Sequence, residues 1–118
     1  MSVISYAQTD SLSSSSSVTE FDTYFEGGRI QLYSIIQEHL KYPEELKEES
    51  KFGHVFYKVS IDTLGKITNI EILRSFDERA NSTVLETIKF TEGSWKIKNV
   101  NGVKESYTWN DTIYFELR

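Results

Sequence analysis

Residues 53–75 read GHVFYKVSIDTLGKITNIEILRS, and their apolar and polar positions alternate with the two-residue period of a strand that buries one face. Val55, Tyr57, Val59 and Ile61 fall on one side, whereas His54, Lys58, Ser60 and Asp62 fall on the other, with Phe56 the apolar exception. Asp62-Thr63-Leu64-Gly65 supplies a turn, because an aspartate bonds back to nearby backbone and a glycine takes the positive φ that a type I turn with a bulge requires. The return strand keeps Ile67, Ile70 and Ile72, but the odd step from Ile67 to Ile70 changes parity and predicts a bulge near Thr68-Asn69.

Around this hairpin the period changes. Leu32, Ile35, Ile36 and Leu40 recur at three and four residues and predict an amphipathic helix over about 29–40. Tyr42-Pro43 ends it, and Pro43-Glu44-Glu45 suits a fresh start with acids at the positive end of the dipole, hence a short helix over 43–49 with Leu46 inward. A further helix is expected over about 81–90, opened by a capping box between Thr83 and Glu86 and carrying Val84, Leu85 and Ile88 toward the Val55-Tyr57-Val59-Ile61 face. Asn101-Gly102 predicts a tight hairpin that folds 95–99 back on 104–109. Ile113, Phe115 and Leu117 alternate with Thr112, Tyr114 and Glu116, so a last strand should run nearly to Arg118. Asp111 would then share the side of Trp109 and Ile113, which predicts either a twist there or an edge position that leaves its carboxylate wet. The expected fold class is α+β: an antiparallel β-sheet of about three strands, hairpin plus C-terminal strand, with two main helices packed on one face.

Length and composition narrow the picture. With 118 residues, 38% hydrophobic and 14% aromatic, the chain suits one compact domain. Residues 1–23 read as a flexible Ser-rich lead-in around Ser13 to Ser17, and order is expected from Tyr24, giving a domain over 24–118. The stretch from Val3 to Gln8 looks like the end of a secretory signal without its basic and long apolar parts, which reads as a remnant of an export signal or trimmed anchor, or as an ordinary start. No run of about 18 apolar residues is present, so no transmembrane helix is expected in these residues. A formal charge of −5 argues against nucleic acid and anionic membrane as partners, and the absence of cysteine removes disulfide and thiolate chemistry.

Candidate chemistry is sparse. His39 and His54 show no ligand spacing to each other or to a carboxylate, so neither a metal nor a cofactor is predicted. The serines lie in the lead-in rather than on a strand-turn-helix elbow, and Glu44-Glu45 and Asp77-Glu78 are explained by helix starts, so no enzyme is predicted. Phe56 and Tyr114 could serve an RNA-binding sheet, a reading the negative charge opposes. What remains is a small module whose most useful surface is a sheet edge, able to accept an extended peptide or a second copy of itself.

Phe25-Glu26-Gly27-Gly28, Tyr42-Pro43, Gly53, Asp62 with Gly65, Trp95 and the closing Tyr114-Phe115 stand in an order that resembles the TonB C-terminal domain, in the version of Bacteroidetes-type bacteria. The resemblance covers about 25–118. It implies a periplasmic domain that grips the box peptide of outer-membrane TonB-dependent receptors by β-strand addition, for energy-coupled uptake driven by inner-membrane motor proteins through an anchor outside these residues. The implied binding strand contains Tyr107, Thr108, Trp109, Asn110, Asp111, Thr112, Ile113 and Tyr114, and His39, Lys41, Tyr42 and Pro43 are implied to lie near the receptor. The chain departs from the family pattern at Glu26, where proline is usual, and at Lys96-Ile97-Lys98, where a proline-containing turn is common. A self-associating module such as a homodimer, without energy transduction, is the alternative.

Overall fold

The structure, a computed structural model, describes residues 20–116. Helices α1 (Glu20–Tyr24), α2 (Gly28–His39) and α3 (Glu44–Glu48) precede strands β1 (Gly53–Ile61) and β2 (Ile67–Ser75). A 3-10 turn (Glu78–Ala80) leads into α4 (Asn81–Lys89), followed by β3 (Lys98–Val100), β4 (Val103–Glu105) and β5 (Tyr107–Phe115). The main sheet has three antiparallel strands in the order β2-β1-β5, and β3 and β4 form a separate ribbon. The α+β expectation, with its hairpin plus C-terminal strand, matches this arrangement.

The turn between β1 and β2 is built by Asp62. Its Oδ1 accepts the Leu64 and Lys66 N–H groups at 2.8 and 2.9 Å, and Gly65 sits at φ +82°, where a side chain would be strained. The pairing runs from Ser60↔Asn69 to Ile61↔Ile67, so Thr68 is the extra residue of the expected bulge. A second register shift lies between Phe56↔Arg74 and Tyr57↔Ile72 and leaves Leu73 extra. The sequence hides that one, since Ile72 and Leu73 are both apolar and no parity change shows. Gly53 opens β1 against Phe76, whose Cβ lies 2.6 Å from where a glycine-to-alanine methyl would stand.

Val55, Tyr57, Val59 and Ile61 are buried and form the floor of the core. Leu32, Ile35 and Ile36 of α2, Leu46 of α3 and Val84 and Ile88 of α4 close over them. The expected stripe on α4 is modified: Thr87 joins Val84 and Ile88 in the interior, and its hydroxyl is satisfied by donating to the Thr83 carbonyl at 2.6 Å, while Leu85 is half-buried. The capping box does not form. Asp77 starts the helical segment earlier, accepting the Arg79 N–H, and the Thr83 hydroxyl accepts the Lys41 N–H instead.

Order also starts earlier than the expected Tyr24. Phe21 of α1 is buried, stacked 5.2 Å from Phe25 and edge-on to Trp95. Trp95 in turn donates its indole N–H to Thr91 Oγ1 at 2.9 Å, and that hydroxyl donates to the Ile88 carbonyl. The Ser-rich run and the end of the last strand beyond Glu116 lie outside the described residues.

One ionic cluster ties α3 to the turn after β2. Arg79 reaches both oxygens of Glu49 and of Asp77, and Lys51 Nζ lies 3.1 Å from Asp77 Oδ2. The Arg79 side chain, its backbone N–H and Lys51 hold the Asp77 carboxyl well below the usual carboxylate range, and the same guanidinium lowers Glu49.

Two predictions follow from this packing. Val59→Asp buries an uncompensated charge at the centre of the sheet, a cost of several kcal/mol against a total stability of about 5–15 kcal/mol, so the variant should lose its cooperative thermal unfolding transition by circular dichroism. Because Asp77 and Glu49 are depressed in the folded state, the stability they contribute is present above their unfolded values and is lost as pH falls through the folded ones. The thermal midpoint should drop on acidification below about pH 5, and Asp77→Asn should flatten that drop while lowering the neutral-pH midpoint.

Candidate functional site

The parity of β1 decides which backbone groups are left for a partner. The Asp62 N–H donates to the Lys66 carbonyl at 2.9 Å, so Asp62 and, by alternation, Ser60, Lys58, Phe56 and His54 turn their backbone groups toward β2. Val55, Tyr57, Val59 and Ile61 therefore bond to Ile113, Asp111, Trp109 and Tyr107 of β5. The remaining residues of β5, Thr108, Asn110, Thr112 and Tyr114, direct their N–H and C=O groups away from the sheet. No strand of the described residues pairs with them.

The sheet has two outer edges, and they differ. β2 carries the bulges at Thr68 and Leu73, its Ile67 N–H is taken by Glu92 Oε1 at 3.2 Å, and a groove of about 550 Å³ along Ile67–Ile70 is flanked by Leu85, Lys89 and Glu92. Bulges and side-chain plugs are the means by which edges are closed to further pairing. β5 pairs with β1 from Tyr107 to Phe115 without a register shift, and Thr108 and Asn110 are exposed. It is the straight edge.

Both ends of β5 are anchored. Tyr107 donates its hydroxyl to the Lys96 carbonyl at 2.6 Å and lies against the Tyr24 ring; burial, and then Tyr24, push its pKa up to about 12. At the other end Phe115 is buried against Phe76 and the edge of Tyr42. In between, Trp109 packs 5.0 Å from Phe21.

Asp111 is where the structure corrects the expectation. It stands at an edge without any break in the pairing, yet its carboxylate is not wet: the side chain is 15% exposed, with Oδ2 accepting from Arg29 at 3.1 Å and Oδ1 accepting the Thr112 N–H at 2.8 Å. Burial pushes the Asp111 carboxyl up, against the opposing pull of Arg29 and the Thr112 N–H. On Arg29 burial is again the largest influence and lowers it, but Asp111 and Tyr33 together more than offset that, leaving it raised. The contact joins residues 82 positions apart, so nothing local in the sequence signals it.

The residues around Tyr42-Pro43 form a second region. His39 stacks face to face on Phe90 at 3.7 Å, and His39, Lys41 and Pro43 line an open groove of about 570 Å³ with Thr83, Glu86 and Phe90. Tyr42 turns inward instead. It is buried, its hydroxyl donates to the Lys51 carbonyl, burial raises its pKa, and its ring meets Phe115 at 5.3 Å, which connects this region to the end of β5. His54 stands on the sheet face away from the helices, edge-on to Phe56 and tilted against Tyr114. The two histidines therefore do not converge, and among the described residues no group of three or more His, Cys, Asp or Glu is placed to hold a metal.

Comparison with known proteins gives this arrangement its class. The family model described as the Gram-negative bacterial TonB protein C-terminal matches residues 38–117, more than half of the chain. The chain belongs to this family. The match takes in the end of α2, the Tyr42-Pro43 region and the whole of the sheet. Among solved structures, the chain is similar to the solution structure of the TonB C-terminal domain of Helicobacter pylori, with a TM-score of 0.61 and 21% identity over 75% of this chain and 79% of that one. That likeness extends the agreement to the fold. No curated protein matches the chain. No helix of the described residues is long and apolar enough to cross a membrane.

Proposed function

We propose that this domain is a protein-binding module of TonB type that takes the box peptide of outer-membrane receptors as an added strand along the outer edge of β5, in the periplasm, as part of energy-coupled uptake. The observation that carries the reading is the contrast between the edges: β2 is bulged and plugged, whereas β5 is straight and directs the backbone groups of Thr108, Asn110, Thr112 and Tyr114 outward. Backbone hydrogen bonds along such an edge supply affinity, and side chains on either face of the added strand supply specificity. Membership of the family supports the choice of partner. The groove at His39, Lys41 and Pro43 is a second surface for the same receptor, with the buried Tyr42 positioning it rather than touching the partner. Delivery of force to the receptor requires attachment to inner-membrane motor proteins through an anchor outside the residues described.

Anisotropy titrations of labelled receptor box peptides test this at low and physiological salt. Micromolar or tighter binding is expected for at least one peptide; failure of every one overturns the reading. Asn110→Pro removes an outward N–H without touching the ladder to β1, and should weaken binding by about tenfold or more while leaving the fold unchanged by circular dichroism. A dimer that persists on dilution in light scattering and excludes the peptide would assign the edge to self-association instead.

A further inference from the structure

The edge of β5 is straight, but it is not uniformly available. Thr112 directs its N–H outward, and that N–H already has an acceptor in Asp111 Oδ1 at 2.8 Å, the distance at which the carbonyl of an added strand would have to stand. The same site cannot hold both. The carboxylate is also braced from behind: Oδ2 accepts from the guanidinium of Arg29, which lies 4.8 Å over the Phe21 ring, and the Arg29 backbone N–H donates to Asp22 Oδ1 at 3.1 Å. The brace thus starts at the head of α2 and is held by the aromatic core.

Stability alone does not account for this pair. Burial opposes the ionised Asp111, and ion pairs withdrawn from water return little net free energy. Thr108 and Asn110, on the same edge, are exposed, and among the described residues no side chain accepts from their N–H groups as Asp111 does from Thr112. A charge placed on an otherwise regular edge is a known means of blocking indiscriminate pairing.

We propose that Asp111, braced by Arg29, gates the outer edge of β5: its carboxylate occupies the Thr112 N–H, excludes casual strand addition, including by a second copy of the chain, and yields only to a guest whose pairing over Thr108–Tyr114 outweighs its displacement. The proposal rests on the reading of β5 as the docking edge. The gate leaves that edge open at Thr108 and Asn110 and closes it at Thr112. A guest is registered on the open positions before it opens the closed one, which makes Asp111 a specificity-determining residue rather than a contact that merely adds affinity.

Amide hydrogen exchange on the 118-residue chain, resolved by NMR, tests the gate without any guest. In the wild type the Thr112 N–H should exchange more slowly than those of Thr108 and Asn110. Asp111→Ala should speed Thr112 by about tenfold or more and leave the ladder N–H of Ile113 unchanged. Arg29→Gln, which keeps the carboxylate and removes its brace, should speed Thr112 by a smaller factor and serves as the deciding variant if Asp111→Ala does not fold. Unchanged Thr112 exchange in the folded variants overturns the gate. In the titrations above, Asp111→Ala should bind box peptide more tightly than wild type, and equal affinity overturns the gate while leaving the docking edge in place. If no box peptide binds either protein, the receptor reading fails by itself; faster Thr112 exchange together with a dimer formed only by Asp111→Ala would still support the gate.

Discussion

Parity in β1 is the constraint on which the rest of the molecule depends. This strand is paired on both sides, and each of its residues must give its backbone to one neighbour or the other. The Asp62 turn fixes that choice at one end by bonding the Asp62 N–H to Lys66, and the choice then propagates without freedom to Gly53. It determines that Val55, Tyr57, Val59 and Ile61 are both the floor of the core and the partners of β5. It also determines which groups of β5 are left over. Core and outer edge are thus two readings of one alternation, and a slip of one residue would exchange the buried face for the open one.

The helices answer to the same floor. α2 and α4 supply the aliphatic contacts, while α1 brings Phe21 into a cluster with Phe25, Trp95 and Trp109 that lies under the first half of β5. That cluster carries Arg29 on its surface, so the position of a charge at the edge is set by packing in the interior. The cation is half-exposed and the anion largely buried, which explains why burial dominates the Asp111 carboxyl but is overcome at Arg29.

Much of this was legible from residues close together in the chain. The hairpin, the Asp62 turn, the bulge at Thr68, the inward Leu46 and the Asn101-Gly102 turn all announce themselves through local period or turn chemistry, although the ribbon at that turn pairs only 98–100 with 103–105, because Trp95 bridges Phe25 and residues 107–109 are taken by β1. The misses share a different cause. The Leu73 bulge sits between apolar neighbours, α1 is a single helical turn beside a serine run and too short to show a period, and Thr83 found a better use for its hydroxyl 42 residues away at Lys41. For the candidate site, the strand was readable from its alternation, its edge position followed only from the family resemblance, and the burial of Asp111 was not readable, because its partner lies across the fold.

The bulges of β2 have a consequence for assembly. A sheet with two receptive edges can be extended at both and has no intrinsic limit to growth, whereas here one side is bent, plugged by Glu92 and flanked by α4. Among the described residues the sheet therefore offers one straight edge, so the proposed mode of binding makes the molecule monovalent in the plane of its sheet. A complex formed in the proposed way would terminate at a defined stoichiometry, and the added strand, rather than this domain, would present whatever edge comes next.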